Sequence, residues 1–265
     1  MPYWRYVAVT EIWGGGSEAR VRVYRMAERN IGVESLFERV HLRCAPYATE
    51  GAPDFVVRIA PEDIDRERAR FDREDALEGR TPRTVSEAYL EELAVYRQIA
   101  ERLPAYDTFL FHGSAVAVDG RGYLFAAKSG TGKSTHARLW QQFLGDRLTY
   151  VNDDKPLIRI TPQEALVYGT PYDGKHHLSS NVTVPLEAVC LLRRGEQNAI
   201  RPIGAGEAFP RLLQQAYSPQ DRAALQRTVV LLQALTARVR LYELSCNMDI
   251  AAAREAFEAM APAMR

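Results

Sequence analysis

The sequence predicts an α/β protein: a core built on a mixed sheet, preceded by a small β-rich unit. Three observations predict it. From about residue 84 onward, apolar runs of strand character alternate with stretches of helical period. Residues 127–134, AKSGTGKS, join one such run, YLFAA, to a helical pattern. The run before that, TFLFHGSAVAV, reaches YLFAA through Asp119-Gly120-Arg121-Gly122, a tight turn that makes the two strands antiparallel and the sheet mixed.

With 265 residues and 46% hydrophobic side chains, the chain can bury one sizeable core, or one core with a smaller appended unit. Thirty-four basic and 34 acidic residues cancel, so no nucleic-acid or membrane partner is expected from global charge, and any basic site must be local. Cys44, Cys190 and Cys246 are scattered and lack metal spacing, as core thiols in a reducing compartment are. The opening MPYWRYVAVTEIWGGG has no basic region followed by an apolar one, and no apolar run approaches the ~20 residues of a spanning helix. A soluble, cytoplasmic chain is expected.

Residues 1–60 read as short strands, with RVRVYRM alternating, DFVVRIA β-branched, and WGGGSEA at 13–19 as a turn. Between 61 and 80, thirteen of twenty residues are charged; the segment reads as a solvated helix or linker, too polar for a core face. It sets the expected boundary: a β-rich accessory unit over 1–82 and the core over 83–265. Thr84 and Glu87 have the spacing of a capping box for a helix carrying Leu93, Tyr96, Ala100 and Leu103, which Pro104 ends. A helix over 133–143 and strands at RLTYV and PLIRI follow. After the loop YGTPYDGKHH come a strand at AVCLLRR, helices near 205–216 and 219–236, a strand at VRLYEL, and a last helix capped by Asp249.

The 127–134 segment is the phosphate-loop pattern G-x-x-x-x-G-K-[ST] with alanine in place of the first glycine. Gly130 and Gly132 permit the torsions that turn successive N–H groups inward, and the following helix adds its positive end. Ser129, Gly130, Thr131, Gly132, Lys133, Ser134 and Thr135 are therefore the expected nucleotide-binding residues. Lys133 would reach the outer phosphates, and the Ser134 hydroxyl would hold the accompanying magnesium. Nineteen residues beyond Ser134, a strand ends in Asp153 and Asp154. Transfer of a phosphoryl group to a hydroxyl uses one carboxylate for the metal and another to take the proton, and two neighbours at a strand end can supply both. His112 precedes the hairpin that feeds the loop and could lie near the nucleotide. Lys175, beside Gly174 in YGTPYDGKHH, is a candidate substrate contact, whereas Arg193 and Arg194 read as strand-end surface charges.

Taken together, H-G-x-A at 112–115, S-G-x-G-K-S at 129–134 and the pair Asp153-Asp154 resemble, in order and spacing, the HPr kinase/phosphorylase-like proteins, relatives in fold of phosphoenolpyruvate carboxykinase. The resemblance implies a phosphate-loop kinase core over 83–265 that transfers the γ-phosphoryl group of ATP to a serine hydroxyl, with Mg2+. It implies Lys133 on the phosphates, Ser134 and Asp154 on the metal, Asp153 as base, His112 close by, and homo-oligomer formation. The Arg-Gly-x-Gly segment of the HPr enzymes has no counterpart downstream of the acidic pair, where YGTPYDGKHH stands. The chain therefore looks more like the HPr-kinase-like serine kinases of peptide-modification clusters, with a protein or peptide acceptor. The alternatives are a small-molecule hydroxyl kinase and a non-catalytic ATP-binding regulator; a decarboxylating carboxykinase would need a further substrate domain that 265 residues hardly accommodate.

Overall fold

The computed structural model describes residues 21–77, 79, 81 and 83–261; the turn expected at 13–19 lies outside them. Strands β1 (Arg22–Met26) and β2 (Arg29–Glu34) form a hairpin, and β3 (Phe55–Arg58) joins β2 in parallel. The strand reading of this unit needs one correction. Helix α1 (Glu38–Cys44) lies between β2 and β3, and its seven residues follow Phe37, which provides no side-chain cap, so neither period nor cap announces it.

The charged segment also departs from expectation. It is helix α2 (Pro61–Leu77), and it is not simply solvated. Ile64 enters the core, and the Glu67 carboxylate, 4% exposed, accepts from Arg70 and, through both oxygens, from Arg97 at 2.6 and 3.0 Å. Asp75 is fully buried against the Arg83 guanidinium at 2.6 Å. A charge-rich sequence can thus supply an inner face when each buried carboxylate meets a guanidinium fork.

Helix α3 (Glu87–Arg102) is capped two residues beyond the expected Thr84: Ser86, in extended conformation, accepts from the Tyr89 N–H at 3.3 Å. Its apolar face, with Leu90, Val95 and Ile99, packs in one cluster with Ile31, Val33 and Val57 of the first sheet and with Leu110, Leu157 and Tyr168 of the second.

Among the described residues the second sheet holds nine strands. β4 (Thr108–Leu110), β5 (Ser114–Val118), β6 (Arg121–Ala126), β7 (Leu148–Asn152), β8 (Leu157–Ile160), β9 (Ala165–Tyr168), β10 (Thr183–Arg194), β11 (Ala199–Pro202) and β12 (Arg240–Cys246) pair in the order β4-β8-β9-β10-β6-β5-β7, with β12 beside β10 and β11 beside β12. β5 and β6 are the expected hairpin, closed by Asp119 and Gly120, both at positive φ (50° and 76°). β10 runs parallel to β6 and β12, and β7, antiparallel to β5, points the same way as β6.

Both faces are covered, which is why these strands read as continuous apolar runs. Along β6, Leu124 and Ala126 face α5 (Ala205–Leu213) and α6 (Arg222–Arg238), while Tyr123 and Phe125 face α4 (Lys133–Leu144) and α7 (Ile250–Met260). Trp140 of α4, fully buried, packs against Tyr123, Phe125 and Phe257. The Asp249 carboxylate caps α7 through the Ala251 N–H at 2.8 Å, as its sequence position predicts. Cys44 and Cys190 are buried free thiols and Cys246 is half-buried. Among the described residues no helix is long and apolar enough to cross a membrane.

Candidate functional site

The directions of β6, β7, β10 and β12 bring their C-terminal ends to one edge of the sheet, where β5 begins. At this edge lie the loop after β6, the acidic pair after β7 and His112 before β5. Gly130 and Gly132 take φ of 75° and 120°, a region open to glycine at little cost, and Gly132 is the N-cap of α4. The Thr131 N–H donates to the Lys128 carbonyl at 3.2 Å. Lys133 is buried, and its Nζ donates to the Ala127 carbonyl at 2.9 Å, across the loop it closes. Burial lowers its pKa, an effect that the Asp154 carboxylate opposes. Ser129 is exposed, and Ser134 and Thr135 are half-buried on the first turn of α4.

The acidic pair is set by Asn152. This buried side chain accepts from the N–H groups of Asp154 (2.9 Å) and Lys155 (2.6 Å) and donates to Thr170 Oγ1 (3.0 Å), fixing the turn that leaves β7. Residues 111–113 run beside that turn: Phe111 N–H donates to the Pro156 carbonyl at 3.1 Å and Gly113 N–H to the Asp154 carbonyl at 3.0 Å. His112 Nε2 accordingly stands 3.4 Å from Asp154 Oδ1, and Lys155 Nζ stands 2.8 Å from Asp154 Oδ2. Burial, reinforced by Lys133, lowers the His112 pKa against the pull of Asp154, so the imidazole is neutral at pH 7.

Asp153 faces elsewhere. Its carboxylate is buried, and Oδ1 accepts from the Gly174 N–H at 2.9 Å. Burial raises its pKa; the Gly174 N–H opposes this, Asp154 and Asp173 add to it, and His176 opposes it. The Gly174 loop is anchored by Asp173, which accepts from Ser179 Oγ at 2.9 Å and pairs with Arg43 of α1. Lys175 is exposed beside this contact, and Arg138 of α4 reaches His176 Nε2 at 3.5 Å.

Three partners carry no strong sequence signal: Lys155, Arg43 and Arg194. Arg194 is not a detached surface charge. It donates to the Gly130 carbonyl at 2.5 Å and lines a cleft of about 460 Å3 with Gly130, Thr135, His136, Leu139 and Met248. His136 in that cleft is buried and neutral, its pKa lowered to about 4 by burial. Its Nε2 accepts from Trp140 Nε1 at 3.1 Å, which puts its proton on Nδ1, a buried atom with no hydrogen-bond partner among the described residues. Among the described residues no cluster of three or more His, Cys, Asp or Glu could hold a metal ion. Ser134 and Asp154 supply one hydroxyl and one carboxylate, a donor set that fits magnesium, which takes most of its ligands from phosphate and water.

No curated protein matches the chain. Among solved structures, the Hpr(Ser) kinase/phosphatase from Coxiella burnetii aligns at 13% identity over 46% of this chain and 87% of that one, with a TM-score of 0.28, too low to carry its fold across. The family model described as SynChlorMet cassette protein ScmC matches residues 83–253, more than half of the chain. The protein belongs to the ScmC family of SynChlorMet cassette proteins.

Proposed function

We propose that the protein is a phosphotransferase that moves the γ-phosphoryl group of ATP, with magnesium, to a serine hydroxyl of a protein or peptide, on a phosphate-loop core resembling that of the HPr kinases. The observation that carries this reading is the meeting, at one sheet edge, of the 127–134 loop, the Asp153-Asp154 pair and His112. N–H groups of residues 129–134 cradle phosphate oxygens in this reading, the Thr131 N–H giving up the Lys128 carbonyl to do so, and the 460 Å3 cleft beside Thr135 takes the nucleoside, with His136 Nδ1–H as a donor in need of an acceptor. Lys133 exchanges its Ala127 carbonyl for the outer phosphates. Ser134 and Asp154 would hold magnesium, which when bound would neutralise charge on the phosphates.

Asp153 takes the acceptor's proton. Its raised pKa makes it a better base than an ordinary carboxylate, and a burial site with one N–H donor keeps that basicity. His112 and Lys155 hold Asp154 in place. The family description names a cassette, which agrees with an acceptor made by the same cassette.

The binding half of the proposal is tested by thermal melting with ATP and magnesium. At a hundredfold excess over Kd the folded state gains about 2.7 kcal/mol, and Lys133→Ala removes that gain. An equal shift in both proteins contradicts the loop assignment.

A further inference from the structure

A second pocket, of about 300 Å3, lies on the α5 face of the sheet, against the first residues of the 127–134 loop. Its rim carries Lys128, Arg193, Arg194 and Arg211, with Gln214 and Gln215 between them. Four cations around one small pocket stand out in a chain whose charges cancel. They are only partly neutralised locally. Glu243 meets Arg211 at 2.5 Å and Arg193 at 3.6 Å, and it shares Arg201, at 2.9 Å, with Glu207, so a single carboxylate faces the two rim arginines Arg193 and Arg211. Arg194 is turned to the Gly130 carbonyl, and its charge stays on the pocket. Arg193 is 57% exposed, so its own pairing with Glu243 contributes little.

We propose that this pocket is a second anion subsite, bordering the phosphate loop at Ala127, Lys128 and Thr131, that takes a compact oxyanion: a carboxylate of the phosphoryl acceptor, or free phosphate. Its volume accommodates one acidic residue, and guanidinium forks match carboxylate and phosphate oxygens in two-point contact. The same backbone joins it to the acidic side of the site, since the Gln215 carbonyl accepts the His112 N–H at 2.8 Å. An acidic residue seated here holds a nearby serine at the edge where Asp153 lies. That acceptor role rests on the phosphotransferase reading; anion binding does not.

The test has a binding part and a kinetic part. Inorganic phosphate is titrated into the full chain by calorimetry, as are a serine peptide with one neighbouring aspartate and its asparagine counterpart. The wild-type chain binds two phosphates; Arg193→Gln/Arg211→Gln loses one, and Lys133→Ala loses the other. Arg193→Glu, which leaves the Arg211 pair with Glu243 intact, guards against misfolding of the double variant. If the aspartate peptide binds at least about tenfold more tightly than the asparagine one, and both arginine variants erase the preference, the oxyanion belongs to the acceptor, and KM for that peptide rises in the variants while KM for ATP does not. If phosphate alone shows the variant-sensitive site, the ligand is free phosphate. One phosphate per chain, or binding indifferent to the arginines, overturns the subsite. Should no acceptor be phosphorylated, the phosphotransferase reading falls while the calorimetry still decides the pocket.

Discussion

The Gly174 N–H donates to Asp153 Oδ1 at 2.9 Å, and a β-carbon at position 174 would stand 3.0 Å from that same oxygen. The loop therefore needs glycine here for closeness rather than for an unusual torsion. Gly174→Ala pushes the carboxylate or the loop by a few tenths of an ångström. Transfer is expected to fall by roughly ten- to a hundredfold, as displaced reacting groups do, with ATP affinity unchanged. Parallel measurement of kcat and of nucleotide Kd checks it; an equal loss in both would mean that the loop serves the nucleotide.

The raised pKa of Asp153 also has a stability consequence. The folded chain keeps this proton at pH values where the unfolded chain has lost it. Stability therefore declines as pH rises through the unfolded value, and the full cost is present above the folded one. Asp153→Asn, whose Oδ1 still accepts from Gly174, is expected to raise the melting temperature at pH 7 to 8, with the gain vanishing below about pH 4, the ordinary carboxylate value. Melting curves across that range decide; destabilisation at pH 8 would contradict it.

Glu67 tests the reading of α2. Its nearly buried carboxylate satisfies Arg97 and Arg70, so Glu67→Ala is expected to cost about 3 kcal/mol in urea unfolding, because the guanidiniums lose their charge partner. A loss under about 0.5 kcal/mol, typical of a solvated position, would restore the helix to the surface.

The accessory unit is proposed to complete the fold as well as to hold the Gly174 loop through Arg43 and Asp173. A chain beginning at Arg83 uncovers the α3 face of Leu90, Val95 and Ile99. It is expected to lose the cooperative unfolding transition seen by circular dichroism. A cooperative truncated chain that still binds ATP would make 83–265 self-sufficient.

Much of the edge that gathers these residues is legible in the sequence, because it depends on local signals: Asp119-Gly120 closing a hairpin, Gly130 and Gly132 before Lys133, and Asn152 ahead of two aspartates. What stays hidden depends on distant pairing. Glu67 looks solvated until Arg97, thirty residues on, is packed against it, and Arg194 looks like a strand-end charge until β10 is laid beside β6. Helix α1 is too short to show a period, and β9 and β11 are only four residues long. Residues 127–134 are readable as a loop; that the Gly174 loop reaches Asp153 is not, because 20 intervening residues and two strands separate them.

The most direct measurement is single-turnover transfer of γ-labelled phosphate from ATP, with magnesium, to serine-containing peptides and lysate, for the wild-type chain and Asp153→Asn. Label on a serine hydroxyl is expected, and Asp153→Asn should slow its appearance by roughly 10² to 10⁴ while ATP binding persists. Its rate should climb with pH through the raised pKa of Asp153, above the ordinary carboxylate range. Tight ATP binding with no label on any acceptor would contradict the phosphotransferase and leave a nucleotide-binding regulator; full transfer by Asp153→Asn would remove Asp153 as the base.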